Sequence, residues 1–74
     1  MQQIALTDTY QKITPSGTGT AVIQGYNCTA FLGTSPPGAN DPGIYLKDNW
    51  PIPIDLDKFN EIWVKGTGLV RFAG

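Results

Sequence analysis

Apolar and polar residues alternate along much of this chain with a period of two, which is the pattern of half-buried strands. The clearest instance is residues 61–72, which read Glu-Ile-Trp-Val-Lys, then Gly-Thr-Gly, then Leu-Val-Arg-Phe. Two β-prone runs flanking a glycine turn predict a hairpin. Its arms place Ile62, Val64, Val70 and Phe72 on one apolar face, and Glu61, Trp63, Lys65, Leu69 and Arg71 on the other. The first face reads as core. The second sets charges beside a Trp and a Leu, too polar for a core, and is read as a surface that meets another chain.

The rest of the chain repeats this grammar. Ile4 and Leu6 face one way in a weak strand over residues 3–6, and residues 7–10 either extend it or turn away. Ile13 and Thr14 run into Pro15-Ser16-Gly17, a turn signature. Residues 18–24 have strand composition, Gly25 breaks the run, and residues 26–32 follow at once. These two runs predict a second hairpin, with Tyr26, Cys28, Ala30 and Leu32 on one face and Asn27, Thr29 and Phe31 on the other.

Residues 33–43 hold three of the six prolines and three of the nine glycines, so they can be neither helix nor ladder strand. A long surface loop is expected. Loops of this length are often functional, and Ser35, Pro36, Pro37, Asn40 and Asp41 are its candidate partner contacts; a plain connector is the equal alternative. A short strand over residues 44–47 comes next, then a turn through Trp50 and Pro51. Ile52, Ile54 and Leu56 share a face in residues 51–56, but Pro51 and Pro53 confine that run to a sheet edge or an extended arm. Residues 57–60 turn back into the C-terminal run. No stretch carries a helical apolar period. The pattern predicts an all-β chain, a small antiparallel β-sandwich or barrel of about six or seven short strands, in a single domain over residues 1–74.

Composition narrows the ways such a domain is held together. A chain of 74 residues buries only about 60% of the surface its unfolded form exposes, so its stability is marginal without help. The single cysteine, Cys28, excludes an internal disulfide, and the absence of histidine removes the commonest zinc and copper sites. Oligomerisation is the device left, with a compact monomer as the other outcome. Formal net charge is −1, which supplies no basic patch for nucleic acid. Only 15% of residues are charged, against roughly 25% in ordinary domains, and such weakly charged surfaces suit packing against another protein. Trp50 and Trp63 are the aromatic candidates for that contact. No apolar run is long enough to span a membrane. Residues 1–6 lack the basic and apolar parts of a signal peptide, so a protein made and kept in a cytoplasm is the default expectation.

Catalytic chemistry finds little to work with. Without histidine no Ser-His or Cys-His pair exists within the chain. Paired carboxylates could serve a glycosidase, but a β module of this size offers little room for an enclosed cleft. Asp55 and Asp57 lie two apart near Asn60 and Glu61, without the glycine and spacing of a calcium loop, and read as a solvated turn. Gly66-Thr67-Gly68 precedes a strand and not the helix a phosphate loop needs. Cys28 has no neighbour to activate it and reads as a small buried hydrophobe. Asn27-Cys28-Thr29 matches the glycosylation pattern within an expected strand and is read as coincidence. The chain is expected to be no enzyme and to hold no cofactor or metal.

From Gly43 onward, the short apolar strand, Pro-Ile-Pro-Ile-Asp-Leu, and Asn60-Glu61-Ile62-Trp63-Val64-Lys65-Gly66-Thr67-Gly68 with its closing β run form a recognisable series. It resembles the ends of small tailed-bacteriophage virion proteins, among them capsid decoration or cement proteins and head-fibre base domains. The resemblance covers about the last 30 residues. It implies a β-sandwich that assembles, commonly as a homotrimer, on a virion surface or in a tail. The implied partners are copies of itself and a major capsid or other virion protein, in a particle made in the host bacterial cytoplasm. It carries no catalytic residues. The alternative expectation is a carbohydrate-binding β module of a phage tail or secreted enzyme, with Trp50 and Tyr26 as a coplanar stacking platform. A third is an accessory fold of a larger bacterial complex.

Overall fold

A computed structural model describes residues 2–14, 19–38 and 41–73. Among them six strands form one antiparallel sheet: β1 (Gln2–Ala5), β2 (Gln11–Ile13), β3 (Thr20–Gly33), β4 (Ile44–Leu46), β5 (Ile52–Asp55) and β6 (Glu61–Ala73). The chain is all-β, as its alternation predicts. Two strands are long and lie side by side: β3 pairs with β6 along almost their whole length. The four short strands line their outer edges. On β6, β1 pairs with the C-terminal part and β2 with the N-terminal part; on β3, β5 takes the N-terminal part and β4 the C-terminal part.

The long strands correct both predicted hairpins. Residues 61–72 are one strand in which Gly66-Thr67-Gly68 is a bend and not a turn, and residues 20–33 run unbroken through Gly25, which is buried opposite Val70. The arms of each expected hairpin cannot pair with one another because both are already paired with the neighbouring long strand. The count of six agrees with the sequence, but not all the strands are short.

A straight 14-residue strand would span about 46 Å, whereas the longest dimension of the molecule is 28 Å. Both long strands therefore bend, and the bend is built into their register. Tyr26 pairs with Leu69 and Cys28 with Gly66, so Asn27 alone opposes Thr67 and Gly68. This bulge, with Asn27 in the left-handed region at φ 47°, flips the face alternation of β3. Ala21, Ile23 and Gly25 are buried before it, and Cys28 and Ala30 after it. Tyr26 consequently lies beside Leu69 on the outer face, not with Cys28 on the inner one. In β6 the buried residues Ile62, Val64, Val70 and Phe72 keep one parity through the bend, so the predicted core face survives the loss of the predicted turn.

The bend folds the two ends of the sheet over one core, giving a small sandwich-like layer pair. Leu6, Ile13, Ile23, Cys28, Ala30, Leu46, Ile54, Ile62, Val64, Val70 and Phe72 pack in a single cluster, with Ile4, Leu32, Ile52 and Leu56 against it. Among the described residues no polar or charged side chain is buried. Pro51 and Pro53 do confine their run to an edge, since β5 pairs with β3 alone. Asp55 closes the turn that follows: its carboxylate accepts from Asp57 N–H at 3.0 Å and its carbonyl from Lys58 and Phe59 N–H.

Candidate interaction surface

The sheet bends at one level across all its strands, and the short strands are interrupted there. Between β4 and β5, residues 47–50 form a tight turn in which Trp50 N–H donates to Lys47 O at 3.1 Å and Asn49 takes φ 60°. Three groups pin this turn to the β3 bend. Asn49 N–H donates to Gly25 O at 2.9 Å, Asn27 N–H donates to the Asp48 carboxylate at 3.0 Å, and the Gln24 amide donates to Asn49 O and Oδ1. Trp50 is thus presented from a fixed backbone, 58% exposed, with Lys47 Nζ 5.0 Å from the centre of its ring. On the adjoining edge strand, Ile44 and Tyr45 are 58% and 63% exposed, and the Tyr45 hydroxyl lies 3.5 Å from Asp48 Oδ1. Ile44, Tyr45 and Trp50 are the largest exposures of apolar side chains among the described residues.

The candidates drawn from residues 61–72 lie on the outer face, on either side of the β6 bend. Trp63 stands between Phe31 on β3 and Lys12 on β2, half-buried, and its Nε1 has no acceptor among the described residues. Lys65 Nζ lies 4.5 Å from the centre of the Tyr10 ring, whose edge meets Phe31 at 6.2 Å between centroids. Lys12 Nζ closes on Glu61 Oε2 at 2.6 Å. Beyond the bend, Leu69 lies between Tyr26 and Ala5, and Arg71 Nε donates to Gln3 Oε1 at 3.0 Å. The face therefore gathers Trp63 with Lys65 and Leu69 with Arg71. Trp50 stands apart from both pairs, on the far edge of β3.

In the proline-rich loop, Ser35 and Pro36 are exposed, Pro37 and Asp41 are half-buried, and Asn40 lies outside the described residues. Asp41 closes a turn by accepting from Gly38 N–H at 2.6 Å on its carboxylate and donating its N–H to Gly38 O at 3.1 Å. The Tyr10 hydroxyl donates to Asp41 O at 3.1 Å and so ties the loop to the outer face. Burial, and secondarily the Asp41 charge, raises the Tyr10 pKa above its ordinary value. Beside this tie a recess of about 120 Å³ is lined by Asp8, Thr9, Tyr10 and Lys65.

Cys28 is fully buried, and desolvation pushes its thiol up to about 11. A thiol held protonated in an apolar site is chemically quiet. Among the described residues no three His, Cys, Asp or Glu side chains converge as a metal group would.

Ile44 and Tyr45 are surface residues that the sequence pattern does not single out. They are two large apolar residues in a three-residue strand, next to a loop of prolines and glycines, and their exposure comes from the free edge of the sheet. Comparison with protein families, with curated proteins and with solved structures finds no match to this chain.

Proposed function

We propose that this chain is a non-catalytic building block of a larger assembly, of the virion decoration or cement type that its last 30 residues resemble. It associates with its own kind and with a major virion protein through the β4 edge and the Trp50 turn. The observation that carries this reading is the exposure of Ile44, Tyr45 and Trp50, each above half, along one free sheet edge of a domain with few surface charges. An edge strand offers unpaired backbone groups, and natural monomers blunt such edges with charge, proline or cover. Here the edge strand, three residues long and flanked by Pro42 and Lys47, presents an isoleucine and a tyrosine. Burying the three side chains against a partner would contribute several kcal/mol at about 1.5–3 kcal/mol for each large apolar group.

Light scattering of the purified chain at micromolar concentration, with and without capsids, tests the reading. An oligomer or a capsid-bound fraction supports it, and a stable monomer that binds no capsid overturns it. Tyr26, half-buried beside Leu69, is not the exposed ring expected of a stacking platform, but the exposed rings of Trp50 and Tyr45, five residues apart, favour a second reading as a carbohydrate-binding module. Quenching of tryptophan fluorescence by glycans would support that reading, and absence of any response on a glycan array would remove it.

A further inference from the structure

Every strand pairing in the described fold joins the first half of the chain to the second. β1 and β2 pair with β6, β4 and β5 pair with β3, and β3 pairs with β6. Neither β1–β3 nor β4–β6 contains a pairing of its own among the described residues.

The halves are also equivalent in register. Moving 42 residues along the chain carries the pairs Gln2–Phe72 and Ile4–Val70 onto Ile44–Ala30 and Leu46–Cys28. Moving 41 carries Gln11–Val64 and Ile13–Ile62 onto Ile52–Ile23 and Ile54–Ala21. In the long strands the one-residue difference is the bulge, where Asn27 faces Thr67 and Gly68; in the short strands it lies in the β1–β2 and β4–β5 connections. The clasps across the bends join equivalent residues with donor and acceptor exchanged: Gly66 N–H donates to Thr7 O, and Asn49 N–H donates to Gly25 O. The fold is a pseudo-twofold pair of interleaved three-strand halves, each finding its sheet only in the other.

We infer that two copies of this chain exchange halves, each first half pairing with the second half of the other copy. The exchanged pair keeps all five strand pairings and the whole apolar core in each lobe. Only the connection between β3 and β4 changes path. In the closed chain that connection is held by the Gly38–Asp41 turn and by Tyr10 on Asp41 O, both on the surface. Pro36 and Pro37, next to that turn, favour an extended course for the residues before them. Exchange therefore costs little beyond the loss of intramolecular closure, whose effective concentration is on the order of millimolar for a short linker. This inference rests on the strand pairing and not on the proposed virion role, and it needs no contact through Tyr45 or Trp50.

Complementation of two full-length variants tests it. Ile23→Asp spoils the first half and Val64→Asp the second, each by placing a carboxylate at a fully buried position. Refolded separately, each is expected to remain unstructured. Refolded together, the intact first half of one and the intact second half of the other complete a lobe, giving about half of the wild-type circular dichroism per chain in a particle of two chains. A mixture that never exceeds the sum of its separate components overturns the inference. Should either variant fold alone, the deciding measurement is made on wild-type chains refolded at about 1 mM, near the effective concentration of closure. A species of twice the monomer mass, with amide shifts altered only around residues 34–43, supports exchange, and its absence overturns it.

Discussion

Gly66 passes so close to the carbonyl oxygen of Asn27 that a methyl group on its Cα would overlap that oxygen. The two residues sit at the centre of the bend, where β6 passes the β3 bulge at φ 154° for Gly66 and φ 47° for Asn27. Replacement of Gly66 by Ala must therefore push the long strands apart at the point where both layers join. A loss of about 3 kcal/mol or failure to fold is expected, in the range of severe backbone and packing lesions. Thr67 is exposed, and Thr67→Ala should stay within about 0.5 kcal/mol of wild type. Urea titration of the two variants measures the contrast. A hairpin turn would tolerate both changes similarly, so equal midpoints would contradict the continuous strand.

Asn27 supplies the other side of the same close approach. Its left-handed backbone is tolerated by Asn and suits Gly, whereas a β-branched side chain is strained there. Its N–H still donates to Asp48 whatever the side chain. Asn27→Gly should leave stability within about 0.5 kcal/mol, and Asn27→Val should cost about 1–2 kcal/mol. Thermal melts of both variants check the order, and a Val variant as stable as the Gly variant would remove the bulge from the explanation of the bend.

The core of this fold is readable in the sequence because alternation depends on local parity alone. Ile62, Val64, Val70 and Phe72 share a face whether Gly66-Thr67-Gly68 reverses the strand or merely bends it. The connectivity is not readable, for the same reason. A glycine pair between β-prone runs satisfies the positive φ of a hairpin turn and the close approach of a bulged strand equally well, and only the partner strand decides. Tyr26 lies on the face opposite to the expected one because one bulge inverts every side chain beyond it. At the surface, Trp63 stands out by its polar neighbours, yet Phe31 and Lys12 come from strands distant in sequence and cover it in part. Ile44 and Tyr45 give no signal because exposure at a free edge is a property of the sheet and not of the run.

Cys28 makes stability depend on alkaline pH. Its thiol titrates near 9 when unfolded and is pushed up to about 11 by burial. Between those values the unfolded chain releases a proton that the folded chain retains, so stability falls as pH rises through the window. At about 1.4 kcal/mol per unit the loss amounts to roughly 2–3 kcal/mol by pH 11. The measurement is the difference in slope between wild type and Cys28→Ala over pH 8.5–11, taken from denaturant midpoints. Parallel slopes would show that the thiol is solvated in the folded state.

Assembly and folding should separate along the two tryptophans. Trp63 is half-buried between Phe31 and Lys12, so Trp63→Ala removes part of the packing that holds β2 and β6 to β3 and should cost about 2 kcal/mol of stability, below the full core value. The Trp50 ring lies beneath Lys47 Nζ in a turn held by backbone and by Gln24 and Asp48. Trp50→Ala should therefore move stability by no more than about 0.5 kcal/mol. Under the proposed assembly role the order reverses for association: Trp50→Ala, and more strongly the pair with Tyr45→Ala, should shift light scattering towards the monomer at unchanged melting temperature. Trp63→Ala should lower the melting temperature while the folded fraction still associates. If Trp63→Ala instead dissociates the assembly without loss of stability, the outer face of β6 is the contact and the β4 edge is not.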